Sequence, residues 1–239
     1  LSFKLGQSYD RWWEARKIWG AIVNDSRTFV LQLQGLVQTQ QDVIQKIAHR
    51  QIAWCYYLCF GLRGKVVKNI SKDLLTQEEL ESIESHSNKP LALLQLHNKD
   101  LADLRHNKAI DVFEHIRLDE TVERFCASMG KAERINNTVF PVTYRLYLHF
   151  IIYIFLVTLS FALVGVSAYF KLPLLLLIST AFFLLEKTAT YIQDPFNDLP
   201  TDTPMMAISR TIEINLRQLL AEEEEAIPPK YPTGEYYVM

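Results

Sequence analysis

The stretch LHFIIYIFLVTLSFALVGVSAYF, Leu148 to Phe170, runs 23 residues without an Asp, Glu, Lys or Arg. As a helix rising about 1.5 Å per residue it is ~34 Å long, close to the hydrocarbon thickness of a bilayer. A transmembrane helix is therefore predicted there. Lys171-Leu172-Pro173 follows, and Pro173 suits the first position of a second helix, where the missing N–H costs nothing. The next run, LLLLISTAFFLL, has only 12 residues before Glu186 and Lys187. Alone, that length fits a buried core helix better than a span. A lone spanning helix followed by a tight turn needs a returning partner, so the two are predicted to form a hairpin. Glu186 and Lys187 then lie near the far membrane boundary or inside a bundle, and an interfacial ion pair is expected.

The region from Tyr9 to Asn137 reads as soluble helix, with no alternating strand pattern of useful length and few glycines. Thr76-Gln-Glu-Glu79 has capping-box spacing, and Lys89-Pro90 precedes LALLQL. Asp119 is placed to cap a helix carrying Val122, Phe125 and Cys126 inward, giving roughly four to six cytosolic helices in all. QIAWCYYLCFGL, Gln51 to Leu62, is apolar but too short to span and is expected to pack in a core. Beyond the hairpin, a loop rich in prolines and acids leads to an amphipathic helix near Met205 to Ala221, and Glu222 to Glu225 are expected to trail into solvent. The opening Leu1-Ser2-Phe3 reads like the middle of an apolar helix, so a truncated N terminus is expected.

Composition excludes more than it assigns. A formal net charge of -2 gives no basic surplus for nucleic acid. The three cysteines, Cys55, Cys59 and Cys126, lack zinc or disulfide spacing and read as small buried apolar residues. Four of the six histidines, His86, His97, His106 and His115, lack the spacing that puts two ligands on one helix face, and surface positions are their default. No nucleophile elbow, phosphate loop, dinucleotide fingerprint or zincin motif is present. Nothing nominates an enzyme or a cofactor. Asp194, Asp198 and Asp202 are weak candidates for a hard cation, with capping and turn roles more natural for them.

DRWWEARKIWG, Asp10 to Gly20, places Trp12, Arg16 and Trp19 at i, i+4 and i+7, so a guanidinium between two indoles is expected. Arg11 with Glu14, and Glu14 with Lys17, have ion-pair spacing on a second face. A membrane-interface belt explains the same residues. Before the long span, Pro141 biases Phe140 toward an extended conformation and can begin the next helix, so Phe140 sits at a sharp junction.

Taken together, SYDRWWEARKIWG at Ser8 to Gly20, GKAERINNTVFPVTY at Gly130 to Tyr144, FALVG at Phe161 to Gly165, DPFNDLP at Asp194 to Pro200 and IEINL at Ile212 to Leu216 resemble the bestrophin family of ion channels, in its bacterial form. The resemblance covers about Phe3 to Leu219 and marks Arg11, Trp12, Trp13, Glu14, Arg16, Trp19, Gly20, Glu133, Arg134, Pro141, Tyr144, Asp194, Pro195 and Phe196 as structural motif positions. It implies an all-α membrane protein forming a barrel-shaped homopentamer around a central pore. Phe3 would be the last position of an apolar pore neck and Phe140 a cytosolic constriction. Such apolar rings gate by excluding water. The animal family's calcium clasp is represented here only by Asp194, Asp198 and Asp202, so no metal is expected.

Under that resemblance residues 1–8 end the neck helix and 9–140 form a cytosolic helical region. Residues 141–196 form the transmembrane hairpin, 197–221 a cytosolic loop and helix, and 222–239 a flexible tail. The function implied is passive passage of small monovalent ions, chloride as in the wider family or sodium as in bacterial relatives. The protein would be multi-pass in a cell membrane, the bacterial inner membrane, with lipids, its own copies and the ions as partners. A membrane-anchored helical scaffold without conduction is the alternative from another class.

Overall fold

A computed structural model describes residues 2–37, 40–67, 74–138 and 141–230. Every regular element among them is helical. The first, α1 (Ser2–Leu36), is one continuous helix of 35 residues, about 52 Å long at 1.5 Å per residue. Its buried face begins with Lys4 and Ser8 and continues through Ala15, Ile18, Trp19, Ile22, Ser26, Phe29, Val30 and Leu33. That spacing is one stripe of a 3.6-residue period, polar at its start and apolar after it.

Around this stripe pack α2 (Gln41–Leu62), α5 (Val112–Asn137) and α8 (Met205–Leu219), while α3 (Gln77–Glu84) and α4 (Lys89–His106) close the far side of α2. The expected core run is confirmed, since residues 50 to 59 of α2 are all buried. Phe125 meets Trp54 at 5.3 Å and Phe29 at 5.6 Å between ring centroids, and Phe29 meets the edge of His97 at 5.3 Å. Arg50, 1% exposed, enters the same region from α2. It donates through Nε (2.8 Å) and Nη2 to Glu79 on α3, and through Nη2 to Asp100 on α4. One guanidinium thus fixes three helices.

Helix starts follow the sequence in two places and depart from it in two, at Asp119 and at Pro173. Thr76 and Glu79 form the expected capping box, and Asn88 caps α4 just ahead of Pro90. Asp119, however, lies within α5. The cap is Asp111, whose carboxylate accepts from the Glu114 N–H at 2.7 Å while Glu114 returns the bond to the Asp111 N–H at 2.7 Å. Both reciprocal bonds satisfy orphan donors, which settles the start eight residues upstream of Asp119. Val122 and Phe125 point inward as expected, but Cys126 is exposed; only Cys55 and Cys59 are buried. Burial pushes both of those thiols up to about 12.

The apolar hairpin is present with its turn displaced. α6 (Val142–Ala162) ends before Leu163, and α7 (Ala168–Ile192) begins after Ser167. The turn closes through Val164 N–H to Phe161 O and Val166 N–H to Leu163 O, each 3.1 Å. Pro173 therefore lies in the second turn of α7 rather than at its start. It removes one backbone donor, a loss that membrane-type helices absorb. The displacement lengthens the second helix to 25 residues, which takes in Glu186 and Lys187.

Two further readings change. Glu222 does not trail into solvent: His49 Nε2 lies 2.5 Å from its Oε1 and Arg217 Nη1 2.8 Å from its Oε2. His97 is not a surface residue but is fully buried, and burial, reinforced by Arg50, holds its pKa well below the ordinary 6.5. Below about pH 6.5 an unfolded chain protonates this imidazole while the folded one does not, so stability falls as pH falls, by at most ~1.4 kcal/mol per pH unit from this group. Thermal unfolding between pH 7 and 5 is expected to show that loss, and His97→Phe to remove its part of the slope.

Candidate functional site

Three of the five motifs, 8–20, 130–144 and 194–200, converge where α1 passes the C-terminal end of α5, the end of α7 and the loop after it, while FALVG forms the far turn of the hairpin and IEINL lies in α8. Arg11 donates through Nη2 to the carbonyl of Ile135, in the last turn of α5, and lies 3.4 Å from Asp194 Oδ1. Carbonyls in that turn have no intrahelical donor, and a guanidinium supplies both the hydrogen bond and the positive charge favoured at a helix C terminus. Trp12 donates from Nε1 to the Thr201 carbonyl at 2.9 Å and stacks on Trp13, with Tyr9 on its other flank at 5.9 Å. Trp19 is fully buried in the core. The expected Arg16 sandwich is absent: among the described residues the cation over a ring is Lys187 on Tyr191, at 5.7 Å. Trp12 faces the 194–204 loop while Trp19 faces the core, so no slot opens between them. Glu14 pairs with Lys17 at 2.6 Å, and Arg11 is turned instead to α5 and Asp194.

Other motif positions close the neighbouring helix ends, most of them through the backbone. Glu133 accepts from the Asn88 amide at 2.9 Å, joining α5 to the cap of α4. The Arg134 carbonyl accepts from Thr138 N–H at 3.0 Å and Thr138 Oγ1 at 2.6 Å, closing α5. Pro141 stands just ahead of α6, and its carbonyl accepts from the Tyr144 N–H at 3.1 Å. Phe196 is buried, and Thr203 N–H bonds the Pro195 carbonyl at 3.0 Å, folding the loop back on itself. Arg11, Thr138, Asp194 and Asn197 face a small hollow of about 200 Å³ there. A Cβ at Gly20 would meet only Arg16 Nη1, at 4.0 Å, so the chain's own packing does not demand glycine. Phe140 lies outside the described residues. Phe3 is 68% exposed at the start of α1.

Sequence reasoning missed the residue next to Phe3. Lys4 is fully buried, with Nζ 2.7 Å from Glu186 Oε1 and 2.8 Å from Thr190 Oγ1 on α7. His149 on α6 approaches the other carboxylate oxygen at 3.2 Å. Glu186 is thus paired, but to Lys4 rather than within its own helix end. The signal available was the i, i+4, i+7, i+11 stripe Lys4, Ser8, Arg11, Ala15, which puts a lysine in line with core positions.

Beyond this node the hairpin presents apolar side chains outward. Phe161 is 72% exposed, Tyr169 89% and Leu176 70%. Within α6 the window Thr143–Ala162, and all of α7, are long and apolar enough to cross a membrane. An apolar surface of that extent is not a water-facing one.

The family model described as Bacterial/Fungal Bestrophin protein matches residues 1–218. The chain is a bestrophin. The voltage-dependent anion channel-forming protein YneE of Escherichia coli K12 is 30% identical over 238 residues, covering 99% of this chain and 77% of the relative. Its Salmonella typhi counterpart is 31% identical over 232 residues, covering 96% and 75%. A crystal structure of a bacterial bestrophin homologue from Klebsiella pneumoniae, 28% identical, matches with a TM-score of 0.87 over 93% of this chain and 82% of that one.

In this bestrophin the three loop carboxylates are engaged separately. Asp194 faces Arg11; Asp198, in a left-handed backbone conformation, pairs with Arg63 at 2.7 Å and Lys65 at 2.6 Å; Asp202 accepts from the Leu199 N–H at 3.1 Å. The Lys65 ammonium, with Arg63 behind it, holds Asp198 below the usual carboxylate range, while burial raises Asp202. A cleft of about 590 Å³ between α4 and α5 gathers His86, Asp119, Glu123 and Cys126. Among the described residues no three His, Cys, Asp or Glu side chains are placed to share an ion. The Arg11 cap matters more than its ion pair, because Asp194 is half exposed. Arg11→Ala is expected to lower unfolding stability by ~1.5–3 kcal/mol as a lost charged hydrogen bond. Asp194→Asn is expected to cost under ~1 kcal/mol, both read by thermal denaturation.

Proposed function

We propose that this bestrophin assembles as a homopentamer in a cell membrane, the bacterial inner membrane, and passes small monovalent ions passively along a central pore. The carrying observation is likeness over nearly the whole chain to relatives named as voltage-dependent anion channel-forming proteins. Anions such as chloride are therefore the favoured cargo. The exposed apolar hairpin supports the reading, since its surface suits lipid and neighbouring subunits. The ions, lipids and other copies of the chain are the partners; nucleic acid has no role.

Phe3 and Phe140 are the two proposed apolar rings along this path. A ring of five phenylalanines excludes water, so an ion crossing it sheds hydration without replacement. Phe3 supports the role by standing on the exposed side of α1, away from the stripe that holds the helix to the body.

Flux into liposomes loaded with the full-length protein tests the function. Chloride uptake exceeding sodium uptake is expected; sodium preference would move the chain to a cation channel, and no flux of either would favour a non-conducting scaffold. In single-channel recording, Phe140→Ala is expected to raise unitary conductance or alter ion preference, and an unchanged channel would remove Phe140 from the path.

A further inference from the structure

We propose that Lys4 and Glu186, with His149 and Thr190 as their supports, set the rotation of the pore helix, so that Lys4 and Glu186 are positioning residues for Phe3. The inference rests on the reading of Phe3 as a pore residue. Phe3 and Lys4 are successive residues on α1, about 100° apart around its axis. One is 68% exposed and the other is fully buried. Turning α1 far enough to bury Phe3 would pull Lys4 off α7.

The node is built to resist that turn. An ammonium out of water is tolerated only beside an opposite charge and further polar partners. Lys4 has both, Glu186 Oε1 at 2.7 Å and Thr190 Oγ1 at 2.8 Å, and Thr190 also lies 3.0 Å from the same carboxylate oxygen. Glu186 Oε2 is taken by His149 Nε2 at 3.2 Å. One carboxylate on α7 thereby receives α1 and α6 on different oxygens. Its neighbour Lys187 is turned away over Tyr191 and does not compete. The next buried position of α1, Ser8, carries no charge, so Lys4 is where this end of the helix is held by charge.

An aliphatic pair would fill the same space without desolvating two charges. What the ionic pair adds is register: apolar stripes tolerate sliding and turning, whereas a buried charge is satisfied at one position. A helix held this way presents Phe3 toward the path while the rest of α1 follows the apolar core.

The full-length protein decides the matter in planar bilayers and by thiol labelling. Lys4→Met and Glu186→Gln are expected to change unitary conductance or the chloride-to-sodium permeability ratio by about threefold or more, and the exchange of Lys4→Glu with Glu186→Lys to restore it within about twofold. The apolar pair Lys4→Met with Glu186→Leu is expected to assemble with a native melting temperature yet conduct abnormally. Cys55 and Cys59 are buried, so in a Cys126→Ser background, with any accessible cysteine elsewhere in the full-length protein also replaced by serine, a thiol introduced at Phe3 can be labelled alone. Its reaction with a charged methanethiosulfonate is expected to slow about tenfold when Lys4→Met is added, equivalent to ~1.4 kcal/mol. Native conductance from the assembled apolar pair, or labelling unchanged by Lys4→Met, would overturn the proposal. A parent protein that conducts nothing would instead overturn the channel reading, and the labelling would still judge the node.

Discussion

Along α1 a single buried stripe is asked to do two kinds of binding. At its start the stripe is ionic, with Lys4 held by Glu186 and Arg11 by the end of α5. Farther on it is apolar, with Ile18, Trp19, Ile22, Phe29 and Leu33 packed against α5, α2 and α8. Because the two halves belong to one continuous helix, the ionic contacts and the apolar packing must be met at a single azimuth. The positions of Trp12 against the loop, of Phe3 outside the stripe and of the hairpin beside α1 all follow from that one rotational choice.

Charge is used in the body in the same manner, as a link between helices rather than as surface decoration. Arg50 joins α2, α3 and α4. Tyr56, Glu213, Arg217, Glu222 and His49 form a chain of contacts that fastens α8 and the residues after it onto α2. Breaking such a buried pair by removing one partner costs ~3–5 kcal/mol, although replacing both partners by well-packed apolar residues is often neutral. Their role is better read as fixing which helices meet than as supplying net stability.

The sequence disclosed whatever depends on neighbours within one or two turns. The hairpin announced itself through its uncharged run, the core of α2 through QIAWCYYLCFGL, and two helix starts through Thr76 and Lys89-Pro90. Errors arose where two local signals competed. Lys171-Leu172-Pro173 outweighed the softer Leu163-Val164-Gly165 turn, and Asp119 stood close enough to Asp111 to be taken for the cap. The charged nodes were hidden for another reason: the stripe through Lys4 hints that it is buried, but its partner Glu186 is 182 positions away and nothing local points to it. The motifs at 8–20 and 194–200 marked Arg11, Trp12, Asp194 and Phe196, but not which partner each side chain would take.

The pairing of α8 with α1 and α2 also has a consequence for synthesis. Arg27 reaches Asn215 at 2.6 Å, and Gln34 reaches the Leu219 carbonyl at 2.7 Å, so α1 is completed by a segment that leaves the ribosome after every helix between the two. Until then the apolar seams of α1 and α2 are open while the even more apolar hairpin is already made. A chain released before Met205 would leave those seams uncovered beside the apolar hairpin, exposing both surfaces at once.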